Sequence, residues 1–160
     1  MRSRILIFLA LVALLPARLP GDFELLTGFE GPVREPRGNT DQTWLGLQYT
    51  AATPLWWRLA PYARLMVDIR HAEEYLVSAG MAAEFRPLEG HPDLFISLQT
   101  GPAWTDVGRP HTGAKLNWSS DIRVGYKFLF AGYSHTSNGG TRRPNSGLDL
   151  LLVGLRVSWD

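Results

Sequence analysis

Near the C-terminus, in "GYSHTSNGGTRRPNSGLDLLLVGLRV" (Gly132 to Val157), five polar side chains precede a run of alternating aliphatics. They are His135, Ser137, Asn138, Asn145 and Asp149. An imidazole, a hydroxyl and a carboxylate are the parts of an acyl-transfer site: the imidazole takes the serine proton, and the carboxylate fixes the imidazole tautomer and stabilises the imidazolium. His135 and Ser137 are two apart, so in an extended strand their side chains leave the same face. The segment Gly139-Gly140-Thr141-Arg142-Arg143-Pro144 is short, and an antiparallel return after it brings Asp149 back beside them. Asp149 shares parity with Leu151, Val153 and Leu155, which puts it on an apolar face. Asn145 and the backbone N–H groups of Gly139 and Gly140 could donate to a developing oxyanion, and exclusion of water would strengthen those donors. The same residues have plainer uses. Ser137, Asn138 and Asn145 are common turn formers, and a histidine at a strand end is often structural.

The elements that would hold these groups read as strands. Phe23, Leu25 and Phe29 alternate with Glu24 and Glu30; Leu45, Leu47, Tyr49 and Ala51 with Gln48 and Thr50. The same period of two runs from Leu59 to Ile69, Tyr75 to Phe85, Leu94 to Trp104, Leu116 to Tyr126 and Leu151 to Trp159. Such alternation predicts half-buried β-strands and suits a soluble sandwich or a lipocalin-like barrel. It also suits a small membrane barrel, because the polar face carries both signs of charge, as a barrel interior filled by side chains does. Six tryptophans (Trp44, Trp56, Trp57, Trp104, Trp118, Trp159) lie mainly near strand ends, where they fit either an interfacial girdle or an ordinary core.

Composition narrows the class. A chain of 160 residues makes one domain. A net charge of +1 gives no basic face for nucleic acid. The absence of cysteine excludes a disulfide scaffold and a thiolate site, and His71, His91, His111 and His135 show no metal-ligand spacing. Met1-Arg2-Ser3-Arg4, the apolar run Ile5 to Leu15 and Pro16-Ala17 have the form of a secretory signal peptide, cleaved after Ala17 or Gly21, leaving a single domain over 22–160. The run is too short for a transmembrane helix of about 20 residues. Export without a helical anchor leaves a periplasmic, secreted or outer-membrane protein.

"SHTSNGGTRRPNSGLDLL" closely resembles the signature of the lipid A 3-O-deacylase family, the PagL-type outer-membrane barrels. Its pattern is His-x-Ser-Asn, a short loop, Pro-Asn-x-Gly and an acidic residue opening the last strand. Here this reads His135-Thr136-Ser137-Asn138, Pro144-Asn145-Ser146-Gly147 and Asp149. The segments "LFISLQTGPAW" and "LNWSSDIRVGYKF" fall where the family has its fifth and sixth strands. The resemblance implies an all-β fold, an eight-stranded antiparallel outer-membrane β-barrel. Its hydrolase site lies on the lipid-facing wall and removes the acyl chain ester-linked at position 3 of lipid A, without metal or cofactor. Carried over by position, Ser137 is the nucleophile, His135 the base and Asp149 the carboxylate. Asn145 with the Gly139 and Gly140 backbone forms the oxyanion hole, and Asn138 supports it. The implied partners are lipid A or lipopolysaccharide and outer-membrane lipids, with the oligomeric state open, a homodimer included. Arg142 and Arg143 could pair with lipid A phosphates or form a solvated loop.

Three departures accompany the match. The family carboxylate is typically glutamate, one methylene longer than Asp149. Lys127-Phe128-Leu129-Phe130-Ala131 offers almost no turn, yet one strand from 115 to 137 is far longer than a barrel wall needs. A reversal near Gly125 or Gly132 is therefore expected. The Gly125 choice is preferred, since it gives Leu129, Ala131, Tyr133, His135 and Ser137 one face with Asp149. Finally, the chain ends Trp159-Asp160, with the aromatic penultimate. A catalytically inactive barrel with a structural or lipid-binding role, and a soluble periplasmic lipid carrier, are the competing readings.

Overall fold

Alternating sequence becomes a wall only if every strand finds two neighbours, and here each does. The structure, a computed structural model, describes residues 20–30, 42–52, 59–70, 74–106, 114–142 and 147–159. Residues 1–19 of the proposed signal segment and Trp56-Trp57 lie outside them. Eight strands follow one another: β1 (Gly21–Glu30), β2 (Thr43–Ala51), β3 (Leu59–Asp68), β4 (Tyr75–Phe85), β5 (Leu94–Thr105), β6 (Leu116–Tyr126), β7 (Leu129–Ser137) and β8 (Leu148–Trp159). Each pairs antiparallel with the next, and β1 pairs with β8, so the sheet closes into a barrel without edges. The expected all-β eight-stranded barrel is thus the observed fold. Both ends of the described chain, Pro20 and Trp159, lie at one end of the barrel. The β7–β8 connection lies at the other.

Closure sends one parity of every strand inward. Part of the lumen is apolar, with Leu26, Trp44, Met66, Leu76, Leu148, Leu150 and Leu152 in one buried cluster that also includes Phe95 and Phe130. The rest is a network of ions around Arg123, whose guanidinium binds Glu24, Gln48 Oε1 at 2.9 Å and Asp121 Oδ2 at 2.8 Å. Asp121 also receives Arg64, which donates to Ser119 Oγ at 2.8 Å and Ser78 Oγ at 3.1 Å. Arg156 holds Glu24 at 2.8 Å and lies 4.0 Å above the Phe95 ring. Buried charges are tolerated only when paired and hydrogen-bonded, and the members of this network come from six strands, β1, β2, β3, β4, β6 and β8.

The other parity is an apolar sheath. Leu25, Leu98, Ile122, Val124, Leu151, Val153 and Leu155 are all exposed on the outer wall, a surface too large and continuous for a soluble monomer. Trp104 and Trp118 stand on this outer face, but Trp44 is fully buried in the lumen, so the tryptophans do not form one girdle. Its even parity on β2, shared with Gln48, turns it inward.

The β6–β7 reversal falls near Gly125, as preferred, but on residues that carry no turn signal. It sits at Lys127-Phe128, after the last pair Tyr126↔Leu129. Lys127 takes φ 55°, a left-handed conformation uncommon for a side-chain-bearing residue. The neighbouring strands hold it there: Lys127 N–H donates to Asp93 O at 2.9 Å, and Arg156 N–H to Phe128 O at 2.7 Å. Tertiary pairing supplies what the local sequence does not. The turn still gives β7 the parity of the Gly125 choice.

Replacing Arg123 by Ala leaves Glu24 with only Arg156 and Asp121 with only Arg64 as ionic partners in the lumen, and should cost about 3 kcal/mol, the lower end for a broken buried pair. Arg86→Ala, which loses an exposed contact to Glu84 and an exposed hydrogen bond to Pro92 O, should cost only about 1 kcal/mol. Urea unfolding midpoints in detergent micelles measure both.

Candidate active site

On β7 the outward residues are Leu129, Ala131, Tyr133, His135 and Ser137, while Phe130, Ser134 and Thr136 are buried within. On β8 Leu148, Leu150 and Leu152 fill the lumen, so Asp149 faces out with Leu151 and Val153. The register then decides the contact. His135 is the direct cross-strand partner of Asp149, and directly opposed side chains start about 4.5–5.5 Å apart. The imidazole Nδ1 lies 2.6 Å from Asp149 Oδ1. The shorter carboxylate reaches the ring without a shift of either strand.

Two further residues shape this pair. Tyr133, one outward position along β7 from His135, donates its hydroxyl to the same Asp149 Oδ1. A carboxylate on an apolar wall is costly unless its oxygens accept hydrogen bonds, and Tyr133 and His135 together supply two. Asp149 is accordingly nearly covered, its side chain 11% exposed, whereas the imidazole is 42% exposed. Gly147 carries φ 78°, and a Cβ placed on it would lie 2.7 Å from His135 Cε1. Glycine therefore both permits the left-handed turn into β8 and leaves room for the ring. Gly147 was visible in the sequence only as part of a motif. Tyr133 had been placed on the correct face without a role, because its reach across to β8 depends on register.

Ser137 follows His135 on the same face and is half-buried, cross-strand from Trp118. With Nδ1 committed to Asp149, the imidazole presents Nε2 as its remaining proton-transfer atom. Asn138 turns away and is buried. Its Oδ1 accepts Gly140 N–H at 2.9 Å, its Nδ2 donates to Arg142 O at 3.0 Å, and its backbone carbonyl accepts the Thr141 hydroxyl at 2.9 Å. These bonds fold the loop back on itself, with Gly139 at φ 65° and Gly140 at φ 83°. The Gly140 N–H is thus already donated to Asn138, which leaves Gly139 as the donor of the pair with no partner among the described residues. Arg142 is exposed on this loop. Asn145 and Arg143 lie outside the described residues, so the structure does not position them. Among the described residues no three His, Cys, Asp or Glu side chains form a metal-holding group.

The arrangement can activate a hydroxyl for attack on an ester whose acyl chain lies against the barrel wall. Comparisons with known proteins point the same way. The family model described as lipid A 3-O-deacylase (PagL) matches residues 28–158. The crystal structure of the outer membrane enzyme PagL superposes with a TM-score of 0.64 at 19% identity, covering 86% of this chain and 99% of that one. The solution structure of the de novo designed protein TMB2.3 superposes with a TM-score of 0.52 at 13% identity, covering 89% and 95%. At such identities these two likenesses concern the fold. No curated protein sequence matches significantly. A family match running from β1 through β8, on a closed barrel of the same architecture, establishes that the chain belongs to the PagL family of lipid A 3-O-deacylases.

Proposed function

We propose that this protein is an outer-membrane esterase that hydrolyses the 3-O-linked acyl chain of lipid A at a Ser137/His135/Asp149 site on its lipid-facing wall. The observation that carries the reading is the 2.6 Å contact between His135 Nδ1 and Asp149 Oδ1, on the apolar outside of the barrel, with a serine two residues further along the same face. The exposed aliphatic wall supports a membrane location and weighs against a soluble carrier. The longer connections, 31–42 and 138–147, lie at the end of the barrel that carries the site. Outer-membrane barrels turn their longer loops to the cell exterior, where the headgroups of surface lipid A would lie.

Ser137 Oγ attacks the ester carbonyl carbon as its proton passes to His135 Nε2. Asp149 holds the ring tautomer and stabilises the imidazolium without itself taking the proton. The tetrahedral oxyanion accepts Gly139 N–H; the Gly140 N–H joins only if its bond to Asn138 opens, and Asn145 is the expected side-chain donor. Collapse returns the proton from His135 to the departing sugar oxygen and leaves the acyl chain on Ser137. Water, deprotonated by His135, then releases the fatty acid and restores the serine. Arg142, exposed on the loop, and Arg143, next to it in sequence, would pair with lipid A phosphates.

Mass spectrometry of lipid A from Gram-negative cells expressing the protein should show loss of one acyl chain from position 3. Ser137→Ala should reduce the loss by at least about a thousandfold while the barrel stays heat-modifiable. An unchanged lipid A profile with the wild-type protein would establish the inert barrel instead.

The supporting residues make separate predictions for the purified enzyme in micelles. Tyr133→Phe removes one hydrogen bond to Asp149 and should lower kcat about tenfold, with little change in KM. Gly147→Ala displaces the imidazole and should lower kcat about a hundredfold. Asp149→Asn, which favours the wrong tautomer, should lower it about 10⁴-fold.

A further inference from the structure

The cross-strand pairing that joins His135 to Asp149 continues in the other direction. Thr100 on β5 pairs with Ser120 on β6, and Ser120 pairs with His135 on β7. Thr100, Ser120, His135 and Asp149 therefore form one transverse row across four adjacent strands, on the outer wall. Thr100 and Ser120 are exposed, and Leu98, Pro102 and Ile122 beside them are exposed and apolar. The two hydroxyls lie 3.0 Å apart, and Trp118 Nε1 donates to Thr100 Oγ1 at 2.7 Å. Thr100 also donates toward Ser119 O at 3.3 Å, so its bonding capacity is largely used. Ser120 Oγ has Thr100 as its one partner among the described residues. A hydroxyl forms up to three hydrogen bonds, and each one left unmade in hydrocarbon carries a cost.

We infer that Ser120, backed by Thr100 and Trp118, is a binding subsite for a hydroxyl group on the acyl chain being released, and makes the enzyme selective for hydroxyacyl esters. This rests on the deacylase reading of Ser137. Polar loop residues Asn138 to Arg142 lie beyond Ser137 on one side, and apolar Ile122, Val124, Ala131 and Val153 on the other. The sugar belongs on the loop side and the acyl chain on the apolar side. Ser120 lies on that apolar side, diagonal to Ser137, because Ser137 pairs with Trp118. Diagonal positions are about 7–8 Å apart, so Ser120 flanks the first few carbons beyond the carbonyl. Asp149 draws the imidazole toward β8, which leaves the Ser120 side of His135 open to the chain. A site that hydrogen-bonds a substrate hydroxyl discriminates strongly against the analogue lacking it.

The test uses two lipid A substrates identical except at O-3, one bearing a 3-hydroxyacyl chain and the other an unsubstituted chain of equal length. The wild-type enzyme in micelles should favour the hydroxyacyl lipid at least about tenfold in kcat/KM, and Ser120→Ala should bring the ratio close to one. Thr100→Val, which keeps Ser120 but removes its partner, should give an intermediate ratio. A ratio unchanged by Ser120→Ala overturns the inference. Equal loss on both substrates also overturns it, since the contact would then be with the shared sugar or with the fold. Binding of the same two lipids to Ser137→Ala protein, followed by tryptophan fluorescence, separates this from the deacylase reading. Absent hydrolysis by the wild type defeats that reading, while tighter hydroxyacyl binding that disappears in Ser120→Ala/Ser137→Ala still supports the subsite, and equal binding of both lipids overturns it.

Discussion

A side chain on the outer wall of this barrel faces a medium that forms no hydrogen bonds, so any polar group placed there must find its partners within the wall itself. That constraint organises the site. Asp149 is a carboxylate on a face otherwise made of Leu151, Val153 and Leu155, and its Oδ1 takes both the His135 ring and the Tyr133 hydroxyl. Trp118 and Thr100 find partners in the same manner, and Ser120 shares one hydrogen bond with Thr100. The polar groups stand in a row because cross-strand neighbours are the partners that a sheet provides within reach.

The lumen meets the same constraint with charge. Arg123, Arg64 and Arg156 tie together acids from β1, β4 and β6, so β1, β3, β4, β6 and β8 cannot slip by one residue without breaking an ion pair and turning an apolar face inward. This fixes the register of the wall from inside, and register is what sets His135 opposite Asp149. The luminal network is remote from His135 and Asp149, yet it helps to position them.

Several features could be read from the residues alone. Period-two alternation located every strand but β7, which emerged only from the parity argument about the turn before it, and the parity of Asp149 with Leu151 and Val153 assigned it to the apolar side. The motif around His135, Ser137 and Gly147 carried the family resemblance. The residues of the β6–β7 turn itself were not legible beyond their nearness to Gly125, because Lys127 and Phe128 are not turn formers and are held by Asp93 and Arg156. Trp44 was read with the other tryptophans, although its parity with Gln48 already turned it inward. The commitment of the Gly140 N–H to Asn138, and the roles of Tyr133 and Ser120, depend on loop closure and strand pairing, which leave no local signature.

What the sequence determined by itself was the face each side chain would take, since alternation along a strand is a local property of extended backbone. What only the tertiary structure decided was which residues on that face meet. His135, Tyr133 and Asp149 converge, and Ser120 joins their row, because closure of the barrel sets the offset between strands. That offset is a sum over all eight pairings and the ion pairs inside them, and no single segment contains it.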